Sequence, residues 1–155
     1  MSRAKEFRFP VAVEWRGGPL TVATVDGKPD LRVATPPEFG SEIEGAWSPE
    51  DMLVAAAATC YAVTLSAIAK HRDIPLASMH VDGVGHLSRR DDGRFGFTSV
   101  ELLVDVEAGT AESLPVVEEA VERAERHCLV SMALSVPVHV SATVSVAAPY
   151  VTAGR

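Results

Sequence analysis

The feature that most constrains this chain is an uncharged stretch of eighteen residues, from Met52 to Ala69. Eighteen residues is the lower limit for a membrane-spanning helix, so the stretch is either a membrane span or a helix with apolar surroundings on nearly all sides. Weakly hydrophobic alanine supplies much of it, and polar side chains such as Thr59, Thr64 and Ser66 interrupt it. The stretch therefore predicts a helix buried in a folded domain, with no membrane association.

Signals for both ends of this helix flank the stretch. Ser48 can accept hydrogen bonds from the first backbone amides, Pro49 suits the first helical position, and two acidic residues follow at the positive end of the helix dipole. Basic residues beginning at Lys70 suit the opposite end. The sequence thus predicts a helix over residues 49–70, which at 1.5 Å per residue is roughly 33 Å long and must be the central element of the domain.

Alternating apolar residues predict strands on both sides of this helix. The predicted strands are 9–15, 20–25, 31–34, 79–87, 95–106 and 136–146, and a second helix is predicted at about 114–127. Apolar residues recur three and four positions apart in the second helix, and Cys128 continues that series on the apolar face. Since no repeat or linker separates these elements, we expect one α+β domain over residues 1–155.

The overall charge and the cysteine count exclude several classes of protein. Fourteen Lys and Arg residues against 21 Asp and Glu residues give a formal charge of −7, so a nucleic-acid partner is not expected. Two cysteines are too few for a secreted disulfide scaffold. The first six residues lack the apolar core of a signal peptide, so a cytoplasmic location is expected.

The two cysteines, Cys60 and Cys128, carry the clearest chemistry, although a free cysteine is most often a small buried hydrophobe. If the two helices pack together, the sulfurs can come within bridging distance, which the sequence leaves open. A metal site is not expected, because neither cysteine belongs to a Cys-x-x-Cys pair and no two histidines lie four apart on one helix. His127 could serve a cysteine hydrolase as base, but neighbouring helical residues point about 100° apart.

Three segments resemble the OsmC/Ohr family of hydroperoxide reductases. They are Ser48–Leu53 (SPEDML), the alanine-rich run that ends at Cys60, and Ala124–Ser131 (AERHCLVS). The resemblance extends from Trp15–Gly18 to the final predicted strand. It implies an α+β fold built as an intertwined homodimer, in which the two predicted helices are enclosed by antiparallel sheets.

The resemblance also implies thiol-dependent reduction of organic hydroperoxides without a metal or an organic cofactor. In that scheme Cys60 attacks the peroxide and Cys128 resolves the resulting sulfenic acid before it is oxidised further. Apolar surroundings disfavour a thiolate, so a cation is required. Arg16 is the candidate, with Glu50 orienting its guanidinium and Arg32 as a substitute. A lipoyl-type dithiol suits this chemistry as the reductant.

Two further observations qualify this scheme. Glu50 precedes Cys60 by ten residues, about 15 Å along the helix and on a different face, so the two could share a pocket only if the site is built from two chains. Glu50 is also accounted for by a purely local role at the positive end of the helix dipole.

The chain departs from the family pattern at two places. Leu129 follows the second cysteine where the family often has proline, and the loop at 36–40 lacks an arginine found there in one branch. These departures indicate a third branch of the family. The alternatives are a non-catalytic dimer that binds a small hydrophobic ligand and a cysteine hydrolase.

Overall fold

The computed structural model describes residues 5–148, and the chain divides into two compact units, Met1–Met52 and Leu53–Arg155. The outermost parts of the predicted domain, residues 1–4 and 149–155, lie outside the described residues. They include most of the segment on which the absence of a signal peptide was predicted. The expectation of one domain over residues 1–155 stays a prediction, and the two units are described separately.

The first unit contains a three-stranded antiparallel sheet in the order β1-β2-β3. Its strands are β1 (Ala12–Trp15), β2 (Leu20–Thr24) and β3 (Leu31–Ala34), followed by a short 3-10 helix at Pro37–Phe39. Gly17 and Gly18 turn the chain between β1 and β2 with φ angles of 98° and 53°, which glycine adopts without strain. The three strands lie within those predicted from alternation, although β1 begins at Ala12 and not at residue 9.

The first helix, α1 (Pro49–His71), begins in this unit at a reciprocal cap. The backbone N–H of Asp51 donates to Ser48 Oγ at 3.0 Å, and the backbone N–H of Ser48 donates to Asp51 Oδ2 at 2.8 Å. Each side chain thus satisfies a backbone donor that the helix itself cannot pair. The predicted start of the helix at Ser48 and Pro49 is confirmed.

The second unit contains the rest of α1, a second sheet and two further helices. The remaining elements are β4 (Leu76–Arg89), β5 (Phe95–Ala108), a 3-10 turn at Ala111–Ser113, α2 (Leu114–His127), α3 (Leu129–Ala133) and β6 (Val138–Val146). The sheet order is β4-β5-β6, with β4 antiparallel to β5 and β6 parallel to β5. The expectation of antiparallel sheets is therefore wrong for β6, because the connection through α2 and α3 is long enough to return the chain for a parallel crossover.

One hydrophobic core fills the second unit. Alternate residues of β5 form one side of this core, and residues four apart on α1 form a buried stripe on another side. These buried side chains are Val100, Leu102, Val104 and Val106 on β5 and Ala57, Tyr61, Leu65 and Ala69 on α1. The apolar face of α2 closes the core and ends at Cys128, as its periodicity predicts.

The prediction that α1 is buried on nearly all sides is wrong for the single chain. Only one stripe of the helix is buried, and Val63 on another face is 64% exposed. Its most apolar 18-residue window has a mean hydropathy of 1.9 and is 22% buried. By length and composition α1 could cross a membrane, but a single helix of this kind is weak evidence for a span.

Close approach between α1 and β4 depends on two glycines. A Cβ atom added at Gly85 would lie 2.7 Å from Val54 Cγ2 and 2.7 Å from Phe97 Cε1. A Cβ atom at Gly83 would lie 2.8 Å from Val54 Cγ1. These distances are shorter than carbon atoms tolerate, so side chains at these positions would push the helix away from the sheet.

We predict that Gly85→Ala lowers the free energy of unfolding by about 1–3 kcal/mol, because the added methyl group overpacks the contact with Val54. Gly96→Ala is the matched strand control, since the three atoms nearest its added Cβ belong to the exposed side chain of Arg90, which can move aside at the cost of its hydrogen bond to the Phe97 carbonyl, and not to the core. Urea denaturation of both variants measures the difference. Equal stability of the two variants would show that the helix does not approach the sheet this closely.

Candidate functional site

The two cysteines meet inside the second unit. Cys60 lies on α1 and is partly buried. Cys128 is the single extended residue between α2 and α3, and it is fully buried. The side chain of Cys128 lies beside Cys60, close enough to lower the pKa of its thiol. The sequence left open whether these sulfurs, 68 positions apart, come together, and the structure brings them into contact.

Four hydrogen-bond donors surround the sulfur of Cys60. Burial is the largest influence on its pKa and acts to raise it. Hydrogen bonds from the Val130 N–H, the Cys128 side chain, the Leu129 N–H and the Thr64 hydroxyl together outweigh burial and hold the pKa of Cys60 below its ordinary value. Cys60 is thus favoured as a thiolate, the form in which a cysteine is nucleophilic.

The sulfur of Cys128 has a different set of contacts. Ser131 Oγ donates a hydrogen bond to Cys128 Sγ at 3.1 Å. The two side chains are close because Ser131 is three residues after Cys128 in the same turn of the chain. The thiol of Cys128 also lies 4.0 Å from the carbonyl oxygen of Ala57 on α1. Cys128 therefore has a donor for its sulfur while fully enclosed, and its one proton can be directed either to the Ala57 carbonyl or to the adjacent sulfur of Cys60.

Tyr61, the residue after Cys60, joins α1 to α2 through a hydrogen bond. Its fully buried hydroxyl donates to the carbonyl oxygen of Val121 at 3.3 Å. Burial and the charges of Glu125 and Cys128 raise the pKa of Tyr61 to about 12, so it stays a neutral donor. This bond helps to fix the helix that carries Cys60 against the helix that leads to Cys128.

Thr64 and Ser131 are the site residues that the sequence analysis missed. Thr64 lies four residues after Cys60 on α1, and Ser131 lies three residues after Cys128. Residues three and four apart on a helix are neighbours on its surface, so a search for hydroxyls at these spacings would have found both.

The first unit holds the predicted activating residues. Arg16 Nη2 lies 2.9 Å from Glu14 Oε2, on the exposed surface of the sheet. Glu50 Oε2 is buried, and among the described residues no hydrogen-bond donor reaches it. The predicted pair of Arg16 with Glu50 is thus not formed within residues 5–148 of the single chain, and the substitute Arg32 is exposed on β3. Their catalytic roles stay predictions.

Glu50 also lines a cavity of about 270 Å³ within the first unit. The other lining residues are mostly apolar, namely Pro19, Thr21, Val33, Ala34, Thr35, Pro36, Phe39 and Pro49. A buried carboxylate oxygen without a partner is costly, so this position favours an additional donor or cation next to Glu50.

The histidine and metal alternatives find no support in the described part of the chain. His127 Nδ1 lies 2.8 Å from the carbonyl oxygen of Arg123 in its own helix, and its ring is exposed. The hydrogen-bond partners of the two sulfurs given above include no imidazole. Between residues 5 and 148, no group of three or more His, Cys, Asp or Glu side chains is arranged to hold a metal ion.

Comparisons with solved structures find the same architecture in other proteins. An OsmC-like protein of unknown function from Vibrio cholerae O1 biovar eltor superposes with a TM-score of 0.80 at 19% identity, covering 89% of this chain and 100% of that one. An organic hydroperoxide resistance protein OsmC from Legionella pneumophila gives 0.70 at 26% identity, covering 90% and 98%. The organic hydroperoxide resistance protein OhrB of Bacillus subtilis gives 0.63 at 26% identity, covering 89% and 98%.

These similarities confirm the predicted mixed α+β fold with two sheets and two principal helices. Among curated proteins, none matches this chain significantly. The sequence model of the family described as OsmC-like protein matches residues 40–143, which is more than half of the chain and includes both cysteines. The chain therefore belongs to the OsmC-like protein family.

Proposed function

We propose that this protein reduces organic hydroperoxides through Cys60 and Cys128. The observation that carries the proposal is the contact between the two sulfurs, with Cys60 held toward its thiolate form by hydrogen bonds. A nucleophilic thiol beside a second thiol is the arrangement that a two-cysteine peroxidase needs. The family membership and the hydroperoxide resistance proteins of similar fold support the choice of substrate.

The proposed cycle assigns a separate step to each cysteine. The Cys60 thiolate attacks the distal peroxide oxygen, the O–O bond breaks, and the alkoxide leaves and takes a proton to become an alcohol. Cys128 then attacks the sulfenic sulfur of Cys60, the S–O bond breaks, and the thiol proton of Cys128 leaves with the hydroxide as water. The product is an internal disulfide, and a dithiol such as a lipoyl-type compound returns it to two thiols.

The proposed cycle takes place in the cytoplasm and requires no metal and no organic cofactor, because thiols supply both electrons. A reducing compartment keeps the two cysteines available for turnover. We also propose that Arg16 polarises the peroxide and that the carboxylate of Glu50 orients the Arg16 guanidinium. Support for this part is the orphaned, buried Glu50 Oε2, which favours a cationic partner.

We further propose that the protein is a homodimer. Apolar side chains alternate along the N-terminal strand region and are all exposed, namely Phe9 at 88%, Val11 at 60%, Val13 at 65% and Trp15 at 70%. The outer face of α1 is similarly uncovered at Val63. Exposed apolar surface of this kind, present on each of the two units, is characteristic of protein interfaces, and a second copy of the chain would cover it.

The first prediction from this function concerns thiol consumption. Stoichiometric cumene hydroperoxide should remove both thiols from the reduced protein and form an intramolecular Cys60–Cys128 disulfide, measured by thiol titration and mass spectrometry. Cys60→Ser should abolish the reaction, whereas Cys128→Ser should stop at a sulfenic acid that dimedone traps. Peroxide consumption no faster than that of free cysteine would instead support the ligand-binding alternative.

The second prediction concerns pH. Because the pKa of Cys60 is lowered, its thiolate persists to lower pH than in an ordinary cysteine, and alkylation by iodoacetamide should titrate accordingly. In a Cys128→Ser background, Thr64→Val should move the midpoint of this profile to higher pH, because a hydrogen bond to the thiolate is lost. Thr59→Val is the control, since that hydroxyl donates to the Ala55 carbonyl of its own helix. An unchanged profile in Thr64→Val would contradict the assigned hydrogen bond.

The third prediction concerns assembly. Wild-type protein should sediment as a dimer, and Val63→Glu should shift it to monomer, because a charge would be buried in the apolar interface. Val84→Glu, which changes an apolar residue that is 44% exposed on β4, should leave the dimer intact. Sedimentation of the wild-type chain as a monomer at micromolar concentration would reject the proposed homodimer.

A further inference from the structure

The two sulfurs of the site differ in their accessibility to a reductant. Cys128 is fully buried, whereas Cys60 is only partly buried. Thiol–disulfide exchange requires the incoming thiolate to reach one sulfur of the disulfide, and access to that sulfur helps to set the rate. A reductant can therefore reach the sulfur of Cys60 more readily, and the sulfur that leaves is that of Cys128.

A thiolate released at Cys128 is formed in an enclosed position, where charge is costly without a donor. Ser131 Oγ lies 3.1 Å from Cys128 Sγ and donates to it. Ser131 is partly buried and belongs to α3, directly after Cys128, so its hydroxyl is carried by the same turn of chain as the departing sulfur. The donors to Cys60 are other groups, namely Thr64, the backbone of Leu129 and Val130, and Cys128 itself.

We propose that Ser131 is a positioning residue for the reductive half of the cycle, whose hydroxyl stabilises Cys128 as the sulfur released when a dithiol attacks the disulfide at Cys60. This inference rests on the proposed function only in taking the Cys60–Cys128 disulfide as an intermediate. It deepens that function by assigning which sulfur the reductant bonds and which group receives the departing charge.

The step balances as an ordinary two-electron exchange. A thiolate of the dithiol forms a bond to Cys60 Sγ, the Cys60–Cys128 bond breaks, and its electron pair stays on Cys128 Sγ. The second thiol of the reductant then displaces Cys60 Sγ from the mixed disulfide, and the reductant leaves as a cyclic disulfide. The two protons of the dithiol end on the two protein thiols, with Cys128 accepting one after release.

The experiment measures reduction apart from the peroxide reaction. Each variant is first oxidised to the disulfide with diamide, and reduction by dithiothreitol is followed by acid quenching and thiol counting. Ser131→Ala should slow this reduction about tenfold, because a hydrogen bond to the charge forming on the leaving sulfur is lost. Ser131→Thr keeps the hydroxyl and should recover most of the rate. Ser135→Ala, which removes an exposed serine four residues away, should react like wild type.

A second measurement uses the wild-type protein, so it does not depend on how Ser131→Ala folds. The diamide-oxidised protein is treated with N-acetylcysteine, quenched in acid and digested with pepsin, and the mixed disulfide is located by mass spectrometry. We expect N-acetylcysteine on Cys60 and a free thiol at Cys128. N-acetylcysteine found on Cys128, or equal reduction rates in Ser131→Ala and Ser135→Ala, would overturn the inference.

The two proposals fail in different ways. If peroxide is not consumed but the diamide disulfide forms and Ser131→Ala slows its reduction, the peroxidase function fails and the role of Ser131 stands. If peroxide turnover proceeds and Ser131→Ala is reduced at the wild-type rate, only the role of Ser131 fails. If diamide forms no intramolecular disulfide, both proposals fail.

Discussion

The contact between the sulfurs of Cys60 and Cys128 depends on a break in the chain between two helices. Cys128 is the one extended residue between α2 and α3, and that break directs its side chain into the core while the next two backbone N–H groups donate to Cys60. A continuous helix through this point would have kept those N–H groups in its own hydrogen bonds. The same local geometry thus brings the two thiols together and supplies donors for a thiolate.

The rest of the second unit holds the two sides of this contact in place. The buried stripe of α1 lies over the apolar face of β5, and glycines on β4 allow the helix to approach closely. The hydrogen bond from Tyr61 to Val121 joins α1 to α2 next to the thiols. Rigid support of this kind matters because a disulfide forms only when its two cysteines are held within a narrow range of distance.

Much of this architecture could be predicted from local patterns. The cap at Ser48, the extent of α1 and α2, and the strands of the first unit follow from capping chemistry and periodicity, which are properties of neighbouring residues. The parallel pairing of β6 could not be predicted in this way, because it depends on the path of the α2–α3 connection. The resemblance supplied the roles of Cys60 and Cys128, but their contact joins distant parts of the chain and required the structure.

The burial of α1 shows a different limit of prediction. Its composition indicates apolar surroundings on all sides, yet the single chain covers only one stripe of it. Ser131 was missed because α3, the helix that carries it, was not predicted, whereas Thr64 lies four residues after Cys60 within the predicted helix 49–70 and could have been found from that spacing. The pairing expected between Arg16 and Glu50 is not formed among residues 5–148, where Arg16 pairs instead with Glu14, and it stays a prediction.

The contact between Cys60 and Cys128 can be observed in a pair of crystal structures of the protein, one reduced and one oxidised with diamide. We predict that the reduced crystals show Cys60 Sγ in contact with Cys128 Sγ and with the N–H groups of Leu129 and Val130. We also predict that the oxidised crystals show a disulfide between the same residues with little change in α1. Reduced crystals with the Cα atoms of the two cysteines more than about 7 Å apart and their side chains directed away from each other would contradict this prediction.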